Sequence, residues 1–156
     1  MNEPSSRIEF QTASEDETKA IGRRFAELLS PGALVALDGD LGSGKTRFVQ
    51  GMAQGLGISP DEVSSPTFVL CHIYHGRLTL LHVDAYRLKS SNEIADLGIS
   101  EALEDGSIVV IEWAGRISAA LPDEFIHVQI DEIDPTSRRI VVESHGPNSQ
   151  QILTRW

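Results

Sequence analysis

Cysteine is almost missing from this chain. Cys71 stands alone, so no internal disulfide can form and a secreted disulfide scaffold is excluded. No apolar run approaches the roughly 20 residues needed to span a bilayer. The N-terminus, MNEPSSRIEF, has neither the basic nor the apolar region of a signal peptide, and the expected compartment is a reducing cytoplasm. Basic residues are also scarce: 13 Lys and Arg against 23 Asp and Glu leave a formal net charge of -10. Such a surface repels phosphate at long range, which argues against a general binder of nucleic acid or anionic membrane, although a local basic patch is compatible with it. If the chain serves nucleic acid, another molecule is expected to grip it. Internal repeats and low-complexity segments are absent as well. What remains is 156 residues with 40% hydrophobic and 23% charged content, which suits one globular domain over 1–156. Residues 1–5 and the tail 146–156, beginning at Gly146-Pro147, are expected to be mobile.

Arg7 to Phe10 alternates like a short edge strand. Ser14-Glu15-Asp16-Glu17 is a capping box: the Ser14 hydroxyl can accept from the Glu17 amide, and the Glu17 side chain can reach back to the Ser14 amide. Ile21, Phe25, Leu28 and Leu29 then recur at helical spacing until Ser30-Pro31-Gly32. Ala33 to Leu37 and Ile108 to Ile111 are unbroken apolar runs, suited to strands buried on both faces. Phe48, Val49, Met52, Ala53 and Leu56 mark a second helix closed by Gly57. One hairpin is predicted from Phe68–Tyr74 and Leu78–Val83, another from Phe125–Ile130 and Arg139–Glu143. Ser91 to Leu103 reads as one or two short helices broken at Gly98. The sum is an α/β chain with a mixed parallel/antiparallel sheet and helices packed on it.

Gly39-Asp40-Leu41-Gly42-Ser43-Gly44-Lys45-Thr46 fits G-x-x-x-x-G-K-[ST], with a buried strand before it and a helix after it. Glycines let successive N–H groups converge on an anion, and the helix start adds its positive dipole end. Lys45 supplies a mobile charge for the β- and γ-phosphates, and Thr46 a hydroxyl for Mg²⁺. Such a loop needs a carboxylate at the end of a neighbouring buried strand. Glu112 and Asp84 both end such runs. We assign Glu112 to the metal and Asp84 to the attacking water or the metal's water network; spacing alone does not decide between them. Ser64 to Phe68 is a hydroxyl-rich, proline-stiffened loop where GTPases keep their γ-phosphate switch, although it reads equally as a plain turn. An Asn-Lys-x-Asp guanine signature is missing, which favours ATP over GTP.

The P-loop is followed in order by Ser65-Pro66-Thr67-Phe68, His82-Val83-Asp84-Ala85-Tyr86-Arg87-Leu88 and Ile111-Glu112-Trp113. This set closely resembles the bacterial TsaE family, small P-loop ATPases of tRNA threonylcarbamoyladenosine biosynthesis, from about the capping box to Leu121-Pro122. The resemblance implies a P-loop NTPase-like three-layer fold, ATP and Mg²⁺ as ligands, and weak hydrolysis stimulated by a TsaB–TsaD complex. That complex, not this chain, would touch tRNA; DNA and membranes are not expected partners. Carried over, Leu41, Gly42, Ser43, Gly44, Lys45 and Thr46 would hold the phosphates, with Thr46 and Glu112 on Mg²⁺. Asp84 would be catalytic or metal-linked and Thr67 would respond to the γ-phosphate, while Glu15 would lie near the nucleotide and Thr136 would close over the adenine. Trp113 matches the family's Glu-Trp pair, and Arg47 should face away from the phosphates.

Other readings compete. His72 and His82 can be cross-strand neighbours, but nothing completes a metal set, so surface or hydrogen-bonded roles are favoured. Cys71 reads as a small buried hydrophobe, and Arg87 and Arg116 as candidate charges for a transition state or plain exposed arginines. A small-molecule or nucleotide kinase fits the P-loop equally, but the chain offers no lid segment. A nucleotide-sensing interaction module without catalysis is the non-enzymatic alternative.

Overall fold

The apolar runs become the centre of a seven-stranded sheet ordered β1-β7-β6-β2-β5-β4-β3. The structure is a computed structural model describing residues 4–64, 71–86, 88 and 91–156. Its strands are β1 (Ser6–Thr12), β2 (Leu34–Asp38), β3 (Cys71–Tyr74), β4 (Leu80–Asp84), β5 (Ile108–Glu112), β6 (Phe125–Glu132) and β7 (Arg138–His145). Its helices are α1 (Glu15–Leu28), α2 (Lys45–Gly55), α3 (Ser91–Asp96), α4 (Ile99–Glu104) and α5 (Pro147–Thr154). Strand β2 pairs in parallel with both β5 and β6, and β5 with β4; the pairings β1–β7, β6–β7 and β3–β4 are antiparallel. The predicted mixed sheet is therefore present, with both hairpin pairings; residues 68–70 of the first predicted strand lie outside the described residues.

Side-chain alternation splits the sheet between two cores. Val35, Leu37, Ile108 and Val110 face Phe25 of α1 and Phe48, Val49 and Met52 of α2. Leu34, Ala36, Val109 and Ile111 face Ile99, Ala114 and Ile117 on the other side. Burying both faces of β2 and β5 is what makes their sequences read as continuous apolar runs.

Helices α1 and α2 approach unusually closely. A Cβ on Gly51 would lie 2.0 Å from the Lys19 carbonyl oxygen, and one on Gly55 2.5 Å from that of Arg23. This contact fixes α1, which carries Glu15, against α2, which carries Lys45 and Thr46. The start of α1 is capped as predicted through Ser14 Oγ, which accepts from the Glu17 amide at 3.1 Å. The Glu17 carboxylate, however, reaches the Ala13 amide rather than that of Ser14.

The tail expected to be mobile, 146–156, is instead the helix α5 and its docked end. Gly146 and Pro147 start a helix rather than ending order, since proline at the first helical position loses no backbone bond. Glu124 caps it, accepting from the amides of Asn148 at 3.0 Å and Ser149 at 3.2 Å. Ile152 and Leu153 are buried, and the Trp156 ring lies 5.6 Å from that of Phe25 and 4.7 Å from that of Phe10. At the other end, pairing begins earlier than expected, with the Ser5 amide donating to Ser144 O at 2.7 Å. Among the described residues, no helix is long and apolar enough to cross a membrane.

Candidate functional site

Strand β2 delivers Gly39 to the carboxyl edge of the sheet. A Cβ on Gly39 would meet the Ile130 carbonyl oxygen at 2.5 Å, so only glycine lets the chain leave the strand here. Gly42 (φ 77°) and Gly44 (φ 106°) adopt left-handed backbone, and Gly44 is the N-cap of α2. No side chain caps α2 and no acid sits in its first turn. Its leading amides are thus left for an anion, and Ser43 Oγ is buried without a hydrogen-bond partner among the described residues. Both observations fit a polyphosphate.

Lys45 is 7% exposed. Its Nζ donates to the carbonyl of Gly39 and, at 3.0 Å, to that of Asp40, and lies 4.2 Å from the centre of the Trp113 ring. Burial lowers its pKa below the ordinary lysine value, opposed by the charges of Glu112, Asp38, Asp40 and Asp84. Trp113 reaches this position through a left-handed backbone (φ 61°), the only non-glycine positive φ among the described residues.

A cavity of about 320 Å³ opens over the loop. The structure brings Glu15, Leu41, Gly42, Gly44, Lys45, Thr46, Glu112 and Thr136 to its wall, each of them anticipated from sequence. Ser43, also anticipated, is buried and is not a wall residue. Asp84 pairs with Glu112 in register on the neighbouring strand, but it is not a wall residue; its Oδ1 accepts from the Tyr86 amide at 2.9 Å. Thr67 and Arg87 lie outside the described residues.

Arg47 corrects the expectation that it faces away. It joins the wall and its Nε lies 3.3 Å from Glu15 Oε2, because the close α1–α2 packing brings the two helix starts together. Arg116 lies over the Tyr86 ring at 4.9 Å and is no wall residue. His72 and His82 are cross-strand partners as expected, and both are hydrogen-bonded. No cluster of three or more His, Cys, Asp or Glu side chains able to hold a metal ion occurs among the described residues. Cys71 is half-buried rather than buried, because it lies on edge strand β3, and burial raises its thiol pKa.

Sequence reasoning missed Arg138 and Asp38. Arg138 Nε donates to Ser43 O at 2.7 Å and its Nη2 to Gly42 O at 3.2 Å, fastening the β6–β7 turn to the phosphate loop. That turn is itself ordered by Asp134, whose Oδ1 accepts from the Thr136 and Ser137 amides at 3.0 and 2.9 Å; these bonds lower its pKa. Asp38 accepts from the Gly115 amide at 3.1 Å and pairs with His127 Nε2 at 2.9 Å, holding the chain just after Trp113. Asp38 had one usable signal, a carboxylate directly before a glycine loop. Arg138 had none, since its partners are 95 and 96 residues away.

Fold and loop together define an α/β protein of the P-loop NTPase-like class. A family profile described as "Threonylcarbamoyl adenosine biosynthesis protein TsaE" matches residues 12–140. This chain belongs to the TsaE family. It is 41% identical over 129 residues to the tRNA threonylcarbamoyladenosine biosynthesis protein TsaE of Treponema pallidum, covering 83% of this chain and 95% of that one. The protein of the same name from Bacillus subtilis is 38% identical over 140 residues, covering 89% and 87%. The crystal structure of Bacillus subtilis YdiB superposes with a TM-score of 0.81 at 31% identity, covering 96% of this chain and 93% of that one.

Proposed function

We propose that this chain binds and hydrolyses ATP as a subunit required for the threonylcarbamoyladenosine modification of tRNA. The observation that carries this reading is the uncapped start of α2, with its glycine loop, opening into the same cavity as the Lys45 ammonium and the Glu112 carboxylate. The loop amides and Lys45 would bind the phosphates, and Arg138 would hold the loop in its binding shape. Thr46 and Glu112 would hold Mg²⁺, which neutralises phosphate charge when bound. Asp84, one register step across from Glu112, would orient the water that attacks the γ-phosphate. The turn bearing Thr136 and the side chain of Glu15 would flank the nucleoside. Thr67 is assigned to sensing the γ-phosphate on the family resemblance alone.

The proposed partner is the TsaB–TsaD complex, through which the chain reaches tRNA indirectly, in the cytoplasm. The acidic surface supports that division of labour, since this chain is poorly suited to gripping tRNA itself. Titration calorimetry with ATP and ADP, with and without Mg²⁺, tests the reading. Lys45→Ala is expected to weaken binding roughly 10- to 150-fold, the range for a lost hydrogen bond to a charged group. Release of inorganic phosphate, faster with TsaB–TsaD, is the expected turnover. Transfer to an acceptor would indicate a kinase, and binding without release a sensor module; absence of binding would overturn the site itself.

A further inference from the structure

Glu112 ends β5 with one of its two carboxylate oxygens already taken. His82 Nε2 lies 2.5 Å from Glu112 Oε2, and the residues are 0% and 3% exposed. The contact is set by strand register. His82 is the partner of Val110, and Asp84 of Glu112, so His82 and Glu112 share one face and sit on a diagonal. On that face Leu80, Ile108 and Val110 are apolar and buried, and two further polar residues share it: Asp84, the partner of Glu112, and His72, the partner of His82 on β3. His82 Nδ1 has no hydrogen-bond partner among the described residues. The hydrogen-bond network therefore assigns the proton to Nε2, which donates to Glu112. Among the described residues, Glu112 is the hydrogen-bond partner of His82; His72 stands opposite it on β3 without a hydrogen bond to it.

We propose that His82 is a positioning residue: it pins Glu112 Oε2 and so presents Glu112 to the cavity through its other oxygen. This rests on the reading of Glu112 as the carboxylate that faces Mg²⁺. Burying an imidazole–carboxylate pair in an apolar layer is a weak source of stability compared with apolar packing of the same volume. What the pair does supply is orientation, because a carboxylate free to rotate offers the cavity either oxygen or both. Nucleotide binding without metal should depend on the loop and Lys45, and be blind to this restraint. The metal-dependent part of binding should feel it.

The test measures ADP affinity by calorimetry with and without Mg²⁺ for the full chain, His82→Phe, His82→Gln, Glu112→Gln and the double variant His82→Phe/Glu112→Gln. His82→Phe should leave metal-free affinity within about twofold and cut the tightening that Mg²⁺ brings by roughly 10- to 100-fold. His82→Gln, which keeps a donor near the Nε2 position, should recover most of it. The double variant should lose no more than Glu112→Gln alone. A folded His82→Phe chain with the full Mg²⁺ effect, or additive losses in the double variant, would overturn the proposal. Should His82→Phe fail to fold, nitrogen-15 NMR of the unaltered chain decides: protonated Nε2 that shifts in Glu112→Gln supports the assignment, and protonated Nδ1 refutes it. If the unaltered chain shows no metal-dependent nucleotide binding at all, the functional reading fails first; if it binds and His82 is indifferent, only the positioning role fails.

Discussion

Strands β4 and β5 are buried along their whole length and β2 along nearly all of it, whereas β1, β7 and β6 form an antiparallel set in which Arg7, Glu9, Gln11 and Arg139 meet solvent. The candidate site gathers on the first half. Parallel strands deliver all their carboxyl ends to one edge, so the loop after β2 and the acids ending β4 and β5 converge there. Antiparallel strands cannot do this. Their share of the site is a single turn, with Thr136 on the cavity wall and Arg138 gripping the loop. The parallel half thus holds the proposed reactive groups, and the antiparallel half holds the parallel half in shape.

The sharpest way to break this contrast is to weaken each half in turn. Ile111→Ala, in the doubly covered half, is expected to destabilise the chain by about 2–5 kcal/mol in urea unfolding. Arg139→Ala, which removes the exposed pairing with Glu9, should leave the midpoint essentially unmoved. Comparable losses from both would erase the distinction.

A smaller effect, opposite in direction, is expected within the parallel half. Burial holds the Lys45 pKa below its ordinary value, so at neutral pH the charged ammonium opposes folding, and that opposition fades only as pH rises toward 10.5. Lys45→Met should raise the melting midpoint in the absence of nucleotide. Screening in the open cavity keeps the gain small. A fall in the midpoint would show that the carbonyl contacts and the Trp113 ring outweigh burial.

The smallest effect belongs to the antiparallel half. His145 on β7 has its pKa lowered below 6.5 by burial first and by His127 second. Its neutral form favours the fold, so this contribution is complete above pH 6.5 and is lost as pH falls toward the lower folded value. Hydrogen exchange below pH 6.5 should therefore loosen β6 and β7 more than in a His145→Phe chain. Equal loosening in both would remove His145 as the cause.

Much of this molecule was readable in advance where the signal was local. Val35 to Leu37 and Ile108 to Ile111 announce buried strands, and Gly39 to Thr46 announce a glycine loop leading into a helix, because each pattern is complete within a few residues. What was unreadable depends on which strands lie side by side. The His82–Glu112 bond follows from β4–β5 register, and the grip of Arg138 from folding β7 back across the loop after β2. The error over the tail has a different origin: Gly146-Pro147 can stop a helix or start one, and only the burial of Ile152 and Leu153 against the first core decides.

The placement of the chain's 2 tryptophans has a practical consequence. One indole packs, half-buried, against Phe25 and Phe10, while the other stacks over the Lys45 ammonium. Their emissions should report separate events, loss of structure from the first and arrival of the proposed nucleotide at the second. Replacing either one leaves a clean optical gauge of the other, so folding and occupancy can be followed on the same chain without an added dye.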